Sequence, residues 1–122
     1  MTQQQALFLG FGRSIIASRL IAELRSEGIG ACQVACEGDL PSAPAPRSRP
    51  LVFIDCRTDE KGALHLLHAA QQRYGTIVGI AVVKQSDFCQ YYRLMEAGAT
   101  GYFLAKDQPA FIARSARLLA QV

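Results

Sequence analysis

The sequence predicts a single α/β domain built on a five-stranded, mostly parallel sheet with helices on both faces. Short apolar runs alternate along the chain with longer stretches whose apolar residues recur at helical spacing. Glycine or proline punctuates most of the junctions. The alternation of strand and helix continues to the end of the chain, which is the pattern of right-handed crossovers in a parallel sheet covered on both sides. A length of 122 residues suits one domain, able to bury about two-thirds of the surface that its unfolded chain exposes.

Residues 6–11 (ALFLGF) are an apolar run too short for a helix and broken by Gly10 near its end, as a buried strand is. Over 14–27, Ile16, Ala17, Leu20, Ile21 and Leu24 share a helical stripe, with Ser14 as the expected cap and Gly28 past the end. Residues 31–36 (ACQVAC) read as the second strand. Residues 38–50 hold four of the five prolines, a density that no regular helix survives. The third strand is 51–56 (LVFIDC), followed by a helix over 60–74 with Leu64 and Leu67 inward. Residues 76–83 (TIVGIAVV) are rich in β-branched side chains and form the fourth strand. A helix over 86–99 places Phe88, Tyr92, Met95 and Ala99 on one stripe, with Tyr92 and Met95 expected in the core. The fifth strand is 101–106 (GYFLAK). The last helix, 109–122, is expected to bury Phe111, Ile112, Leu118, Leu119 and Val122 and to expose Arg114 and Arg117.

Half of the residues are hydrophobic and 19% are charged, values that argue against disorder or a fibre. No apolar run reaches the roughly 18 residues needed to span a bilayer. The opening Met-Thr-Gln-Gln-Gln has neither the basic flank nor the apolar stretch of a secretion signal, so a cytoplasmic protein without membrane contact is expected. The net charge of +3 is spread without a basic run, and nucleic-acid binding by this domain is not expected. Cys32, Cys36, Cys56 and Cys89 form no C-x-x-C pair and are expected as free thiols. Cys56, beside Arg57, and Cys89 are the two with a conceivable redox role.

The segment GATGYFLAKD, residues 98–107, resembles the GA-x-GYL-x-K signature of bacterial response-regulator receiver domains. LVFIDC resembles the third strand of that family, whose terminal aspartate accepts a phosphoryl group. With the order of elements, the resemblance covers nearly the whole chain. It implies the flavodoxin-like (CheY-like) form of the parallel sheet, with the family's second helix missing or replaced by the Pro-rich loop over 37–50. It makes Asp55 the equivalent of the phosphoacceptor, and Val83, Tyr102 and Lys106 remnants of the receiver motif.

Several partners of that chemistry are absent from their places. Phosphoryl transfer to a carboxylate needs a Mg²⁺ ion, which wants further carboxylates beside the acceptor. The family draws these from an acidic pair at the end of the first strand, where this chain has Gly10, Phe11, Gly12 and Arg13. The hydroxyl position that contacts the phosphoryl group falls on Val83, which has no hydrogen bond to offer. Lys106 stands one residue beyond the family's spacing. Strict counting puts Ala105 in the lysine's place, and only a bulge would restore the side. The expectation is a degenerate pseudo-receiver with Asp55 unphosphorylated and no metal or cofactor. No enzymatic activity is expected either, since no nucleophile–base pair or paired carboxylates can be assembled from the strand ends.

The resemblance further implies a homodimer or protein partner held by the helix over 86–99, the fifth strand and the helix over 109–122, the family's fourth helix, fifth strand and fifth helix. Glu96, Tyr102, Lys106, Asp107, Arg114 and Arg117 would form its polar rim. The Lys-Asp ending of the signature resembles the subfamily joined to helix-turn-helix outputs. That implies a transcription regulator whose DNA contacts lie in an output domain beyond residue 122.

A second reading comes from the Gly10-Phe-Gly-Arg13 turn after the first strand. Glycines there let a backbone approach a phosphate at a helix start, with Arg13 as counter-charge, which predicts a sensor of a nucleotide or phosphate metabolite. A residual phosphate switch at Asp55 is a third. His65 and His68, three residues apart on one helix, could share a metal only with a third ligand. The Pro-rich stretch reads as a connection, with polyproline II recognition as its functional alternative.

Overall fold

The computed structural model describes residues 5–42 and 49–121. Strands β1 (Gln5–Leu9), β2 (Gly30–Val34), β3 (Leu51–Asp55), β4 (Val78–Val83) and β5 (Ala99–Leu104) form one sheet in the order β2-β1-β3-β4-β5, with every pairing parallel. Among the described residues there are four α-helices: α1 (Ile15–Ser26), α2 (Glu60–Tyr74), α3 (Phe88–Glu96) and α4 (Pro109–Ala120). This is the parallel sheet that the alternating pattern predicts, in the flavodoxin-like form that the family resemblance implies, and β5 lies at one edge of it.

The strand sequences dictate the layers, because successive side chains point to opposite faces. Phe8, Phe53, Ile80 and Val82 pack on one face with Leu20 and Leu24 of α1 and Ile112 and Ala116 of α4. The rings of Phe8 and Phe53 stack with centroids 4.5 Å apart. Leu7, Leu9, Val52, Ile54, Ala81 and Val83 pack on the other face with Ala63, Leu67 and Ala70 of α2 and Leu94 of α3. Burial on both faces is why β3 and β4 read as unbroken apolar runs.

Several boundaries move. The helix predicted over 86–99 begins at Phe88, because the Asp87 carboxylate caps it by accepting the N–H groups of Cys89 and Gln90. It ends before Gly98, whose φ of +108° leaves the helical region, and Ala99 already pairs with Gly79 in the sheet. Between β2 and β3 the described residues hold only a short 3₁₀ turn, Glu37–Asp39, where the family would have its second helix. Residues 43–48, on which the polyproline expectation largely rests, lie outside the described residues.

The inward stripes of two helices also need correction. In α3 only Leu94 is buried, while Tyr92 is exposed and Phe88 stands 72% exposed. In α4 the buried residues are Ile112, Ala113 and Ala116, and Phe111 and Leu118 are more than half exposed. The helix meets the core through Ile112 and these small alanines, while Phe111 packs on Phe103 of β5.

Candidate functional site

Asp55 ends β3, and the chain turns at once. Its Oδ1 accepts the backbone N–H of Arg57 at 3.0 Å, the two-residue turn that aspartate favours. That turn folds the Arg57 side chain back over the carboxylate. Nε donates to Oδ1 and Nη2 to Oδ2, each at 2.9 Å, so both oxygens are held by a planar fork. The bond to Asp55 is also the main cause that raises the Arg57 guanidinium above its ordinary value. The loop is anchored further: Cys56 donates its N–H to Val82, and its carbonyl accepts from Gln90 of α3.

A polar cleft of about 350 Å³ opens beside this turn, between the ends of β3 and β4 and the start of α3. Its cations are Arg57, Lys84 and Arg93. Arg93 is engaged by Glu60, at 2.6 and 2.9 Å, and this bond holds the Glu60 carboxyl below the usual carboxylate range. Val83 is fully buried and apolar. Tyr102 is half-buried, and its hydroxyl accepts the N–H of Asp87 at 3.2 Å, tying β5 to the loop before α3.

Lys106 is not part of this cleft. Gly79 pairs with Ala99 but Ile80 pairs with Gly101, so β5 accommodates the extra residue Thr100 at its start. The strand ends at Leu104, and a turn closes on Asp107, which donates its N–H to the Leu104 carbonyl and accepts the Leu104 N–H on its carboxylate, both at 2.9 Å. Within that turn Lys106 faces a cavity lined by Ile15, Ile16 and Arg19 of α1. The cation on Asp55 is therefore Arg57, a residue that the motif comparison passed over. Its spacing two residues after an aspartate at a strand end was the available signal.

Gly10 and Gly12 adopt φ of +80° and +60°. They frame Phe11, which is buried and meets the Phe8 ring edge-on at 5.4 Å. Core packing thus accounts for the Gly-Phe-Gly turn. Arg13 is exposed, and the first turn of α1 is capped by Ser14, whose hydroxyl accepts the Ala17 N–H.

Large aromatic and apolar side chains are exposed on the elements that flank β5. On one side Phe88, Tyr92, Tyr91 and Tyr102 form a run of edge-to-face ring contacts. On the other, Phe103 meets Phe111 at 5.9 Å, and Leu118 lies two turns further along α4. Of the rim residues expected from the sequence, Glu96 and Arg114 are exposed here without a partner among the described residues. Arg117 instead bonds Glu27 at the end of α1, and Lys106 and Asp107 belong to the turn on the α1 side. Cys32, Cys36 and Cys89 are exposed, whereas Cys56 is buried, and burial pushes its thiol up to about 12. That is opposite to what a redox-sensing thiolate needs. His65 contacts Glu37 and His68 contacts Gln72. Among the described residues no group of three or more metal-ligating side chains comes together. No helix among them is long and apolar enough to cross a membrane.

Neither a protein-family profile nor a curated protein matches this chain in sequence. Solved structures do match it in shape. A response regulator from Thermotoga maritima superposes with a TM-score of 0.79 at 15% identity, covering 98% of this chain and 99% of its own. The fold is that of a CheY-like receiver domain. A CheY-like receiver protein from Methanospirillum hungatei JF-1 is similar at 0.73 and 18% identity, over 98% of this chain and 95% of its own. HP1043, an orphan response regulator of H. pylori, is similar at 0.73 and 14%, over 98% and 99%. Within this receiver fold, the aspartate-bearing end of β3 is covered by an arginine of its own loop.

Proposed function

We propose that this chain is a regulatory interaction module of bacterial signalling, a pseudo-receiver that docks a second copy of itself without phosphoryl transfer. The observation that carries the reading is the Arg57 fork on Asp55. A phosphoryl donor and its metal ion would both need carboxylate oxygens that are already held by two charge-assisted hydrogen bonds. The apolar Val83 and the absence of acids over 10–13 support the same reading, which assigns no catalytic residue.

The docking surface is the β5 edge with α3 and α4. Large apolar side chains exposed together mark interaction sites more often than isolated ones do. In a two-fold pair residue i meets j and j meets i, so Glu96 of α3 and Arg114 of α4 can satisfy each other twice. The reading assigns no DNA contact to this domain; any such contact would fall to an output domain joined to it. Cytoplasmic location accords with this role.

Two measurements test the reading. Adding Mg²⁺ with beryllofluoride, a phosphoryl mimic, leaves the amide NMR signals of residues 55–57 and 83 in place. Saturable shifts that Asp55→Asn abolishes would make this a working receiver. Sedimentation of the wild type shows a dimer that Tyr92→Ser and Phe111→Ser weaken. A wild type that stays monomeric, or a dimer indifferent to both substitutions, overturns the docking surface.

A further inference from the structure

A second cavity, of about 360 Å³, opens on the α1 and α4 face, between the first turn of α1 and the turn joining β5 to α4. Ile15, Ile16, Ala105 and Pro109 line it, and Arg19 and Lys106 contribute the cations. The two cations come from different elements. Both are exposed, and neither has a hydrogen-bond or ion-pair partner among the described residues, whereas Arg57, Arg93 and Arg117 are all engaged. The acid in the lining, Asp107, already accepts the Leu104 N–H on its carboxylate. Ile15 stands 72% exposed at the mouth, a large apolar side chain with little of this chain packed over it.

We infer that this cavity binds a phosphate monoester of about mononucleotide size. Its phosphate lies between the Arg19 guanidinium, whose planar fork suits phosphate oxygens, and the Lys106 ammonium. Its less polar body rests on Ile15, Ala105 and Pro109. The volume falls within the range of roughly 300–1,000 Å³ typical of small-molecule sites. The site lies next to the glycine turn that first suggested a phosphate ligand, but it uses neither Gly10 nor Gly12, which serve to bury Phe11. It also gives Lys106 a role that the Asp55 cleft does not.

Titration of the ¹⁵N-labelled domain with AMP and, separately, with inorganic phosphate tests the assignment. Of the amides read, those of residues 15–19 lie on α1, outside the proposed docking surface of β5, α3 and α4, so their shifts distinguish ligand binding from self-association. AMP should shift residues 15–19 and 105–109 saturably. Arg19→Ala and Lys106→Ala should each weaken AMP at least about tenfold, the loss expected for one charge-assisted hydrogen bond. Lys61→Ala, an exposed cation on α2, should leave the affinity unchanged. All three side chains are exposed, so their removal should not disturb folding, which the spectra themselves verify. No saturable shift, shifts centred on the Arg57 and Lys84 cleft, or binding that survives the Arg19→Ala/Lys106→Ala pair would overturn the site. Equal affinity for inorganic phosphate and AMP would overturn the apolar wall's part in it.

Discussion

Removing the fork on Asp55 tests its strength directly. The Asp55 side chain is 10% exposed and that of Arg57 28% exposed, so the pair sits between the buried and surface regimes. Breaking a fully buried pair by deleting one partner costs about 3–5 kcal/mol, while exposed pairs contribute about 0–1 kcal/mol. Arg57→Ala deletes two charge-assisted bonds but keeps the backbone N–H bond to Oδ1. The water reaching Arg57 discounts the cost, which leaves about 1–2 kcal/mol. For a domain of this size that corresponds to a melting temperature lower by very roughly 4–8 °C. A cycle with Asp55→Asn, Arg57→Ala and the double variant, measured by urea denaturation, isolates the coupling from incidental losses. A coupling below about 0.3 kcal/mol, no better than an ordinary exposed pair, would mean that the fork does not hold Asp55 in solution. The case against phosphoryl transfer would then lose its main support.

Four further outcomes follow from the same geometry. Thiol reagents should label Cys32, Cys36 and Cys89 in the native protein but Cys56 only on unfolding; rapid labelling of all four would contradict its burial. With the folded Cys56 thiol at about 12 and its ordinary value near 9, the unfolded chain loses this proton first as pH rises. Stability should therefore fall above about pH 9, by at most about 1.4 kcal/mol per pH unit, and Cys56→Ala should flatten that fall. The Glu60 carboxyl, lowered chiefly by its bond to Arg93, contributes stability above its ordinary value near 4.5, and that contribution is lost as pH falls through the lower folded value. Arg93→Ala should move the acid-unfolding midpoint upward, and an unmoved midpoint would contradict the pair. Finally, Gly98→Ala should destabilise the domain by about 1–3 kcal/mol in thermal unfolding. It forces a side chain into a φ of +108° and against the Gln71 amide that donates to the Ala97 carbonyl, so a change near zero would mean that this turn relaxes.

The strands were legible because burial on both faces leaves a one-dimensional mark. Leu51–Ile54 and Val78–Val83 are apolar without interruption, and no helix of that length would be. The helix α1 was legible because it packs along its length and is capped by its own Ser14. The stripe on α3 misled for the opposite reason. Its spacing was helical, but a helix of nine residues held by Leu94 turns its aromatic side outward, and periodicity does not say which neighbour a stripe faces. Lys106 misled in a related way: a motif counts residues, whereas the extra residue at Thr100 and the Leu104–Asp107 turn decide where a side chain points.

By itself, then, the sequence determined the class of fold, the order of its elements, and the lack of an acid over 10–13 and of a hydroxyl at Val83, because each rests on local residue type. Only the tertiary structure decided which cation meets Asp55, that the aromatic residues of α3 line the surface beside the β5 edge, and that Arg19 and Lys106 share a cavity. Those facts depend on turns and crossovers that join residues distant in the chain or reverse it within two residues. Neither kind of closeness follows from spacing alone, because a strand end releases the backbone from the period that made the rest readable.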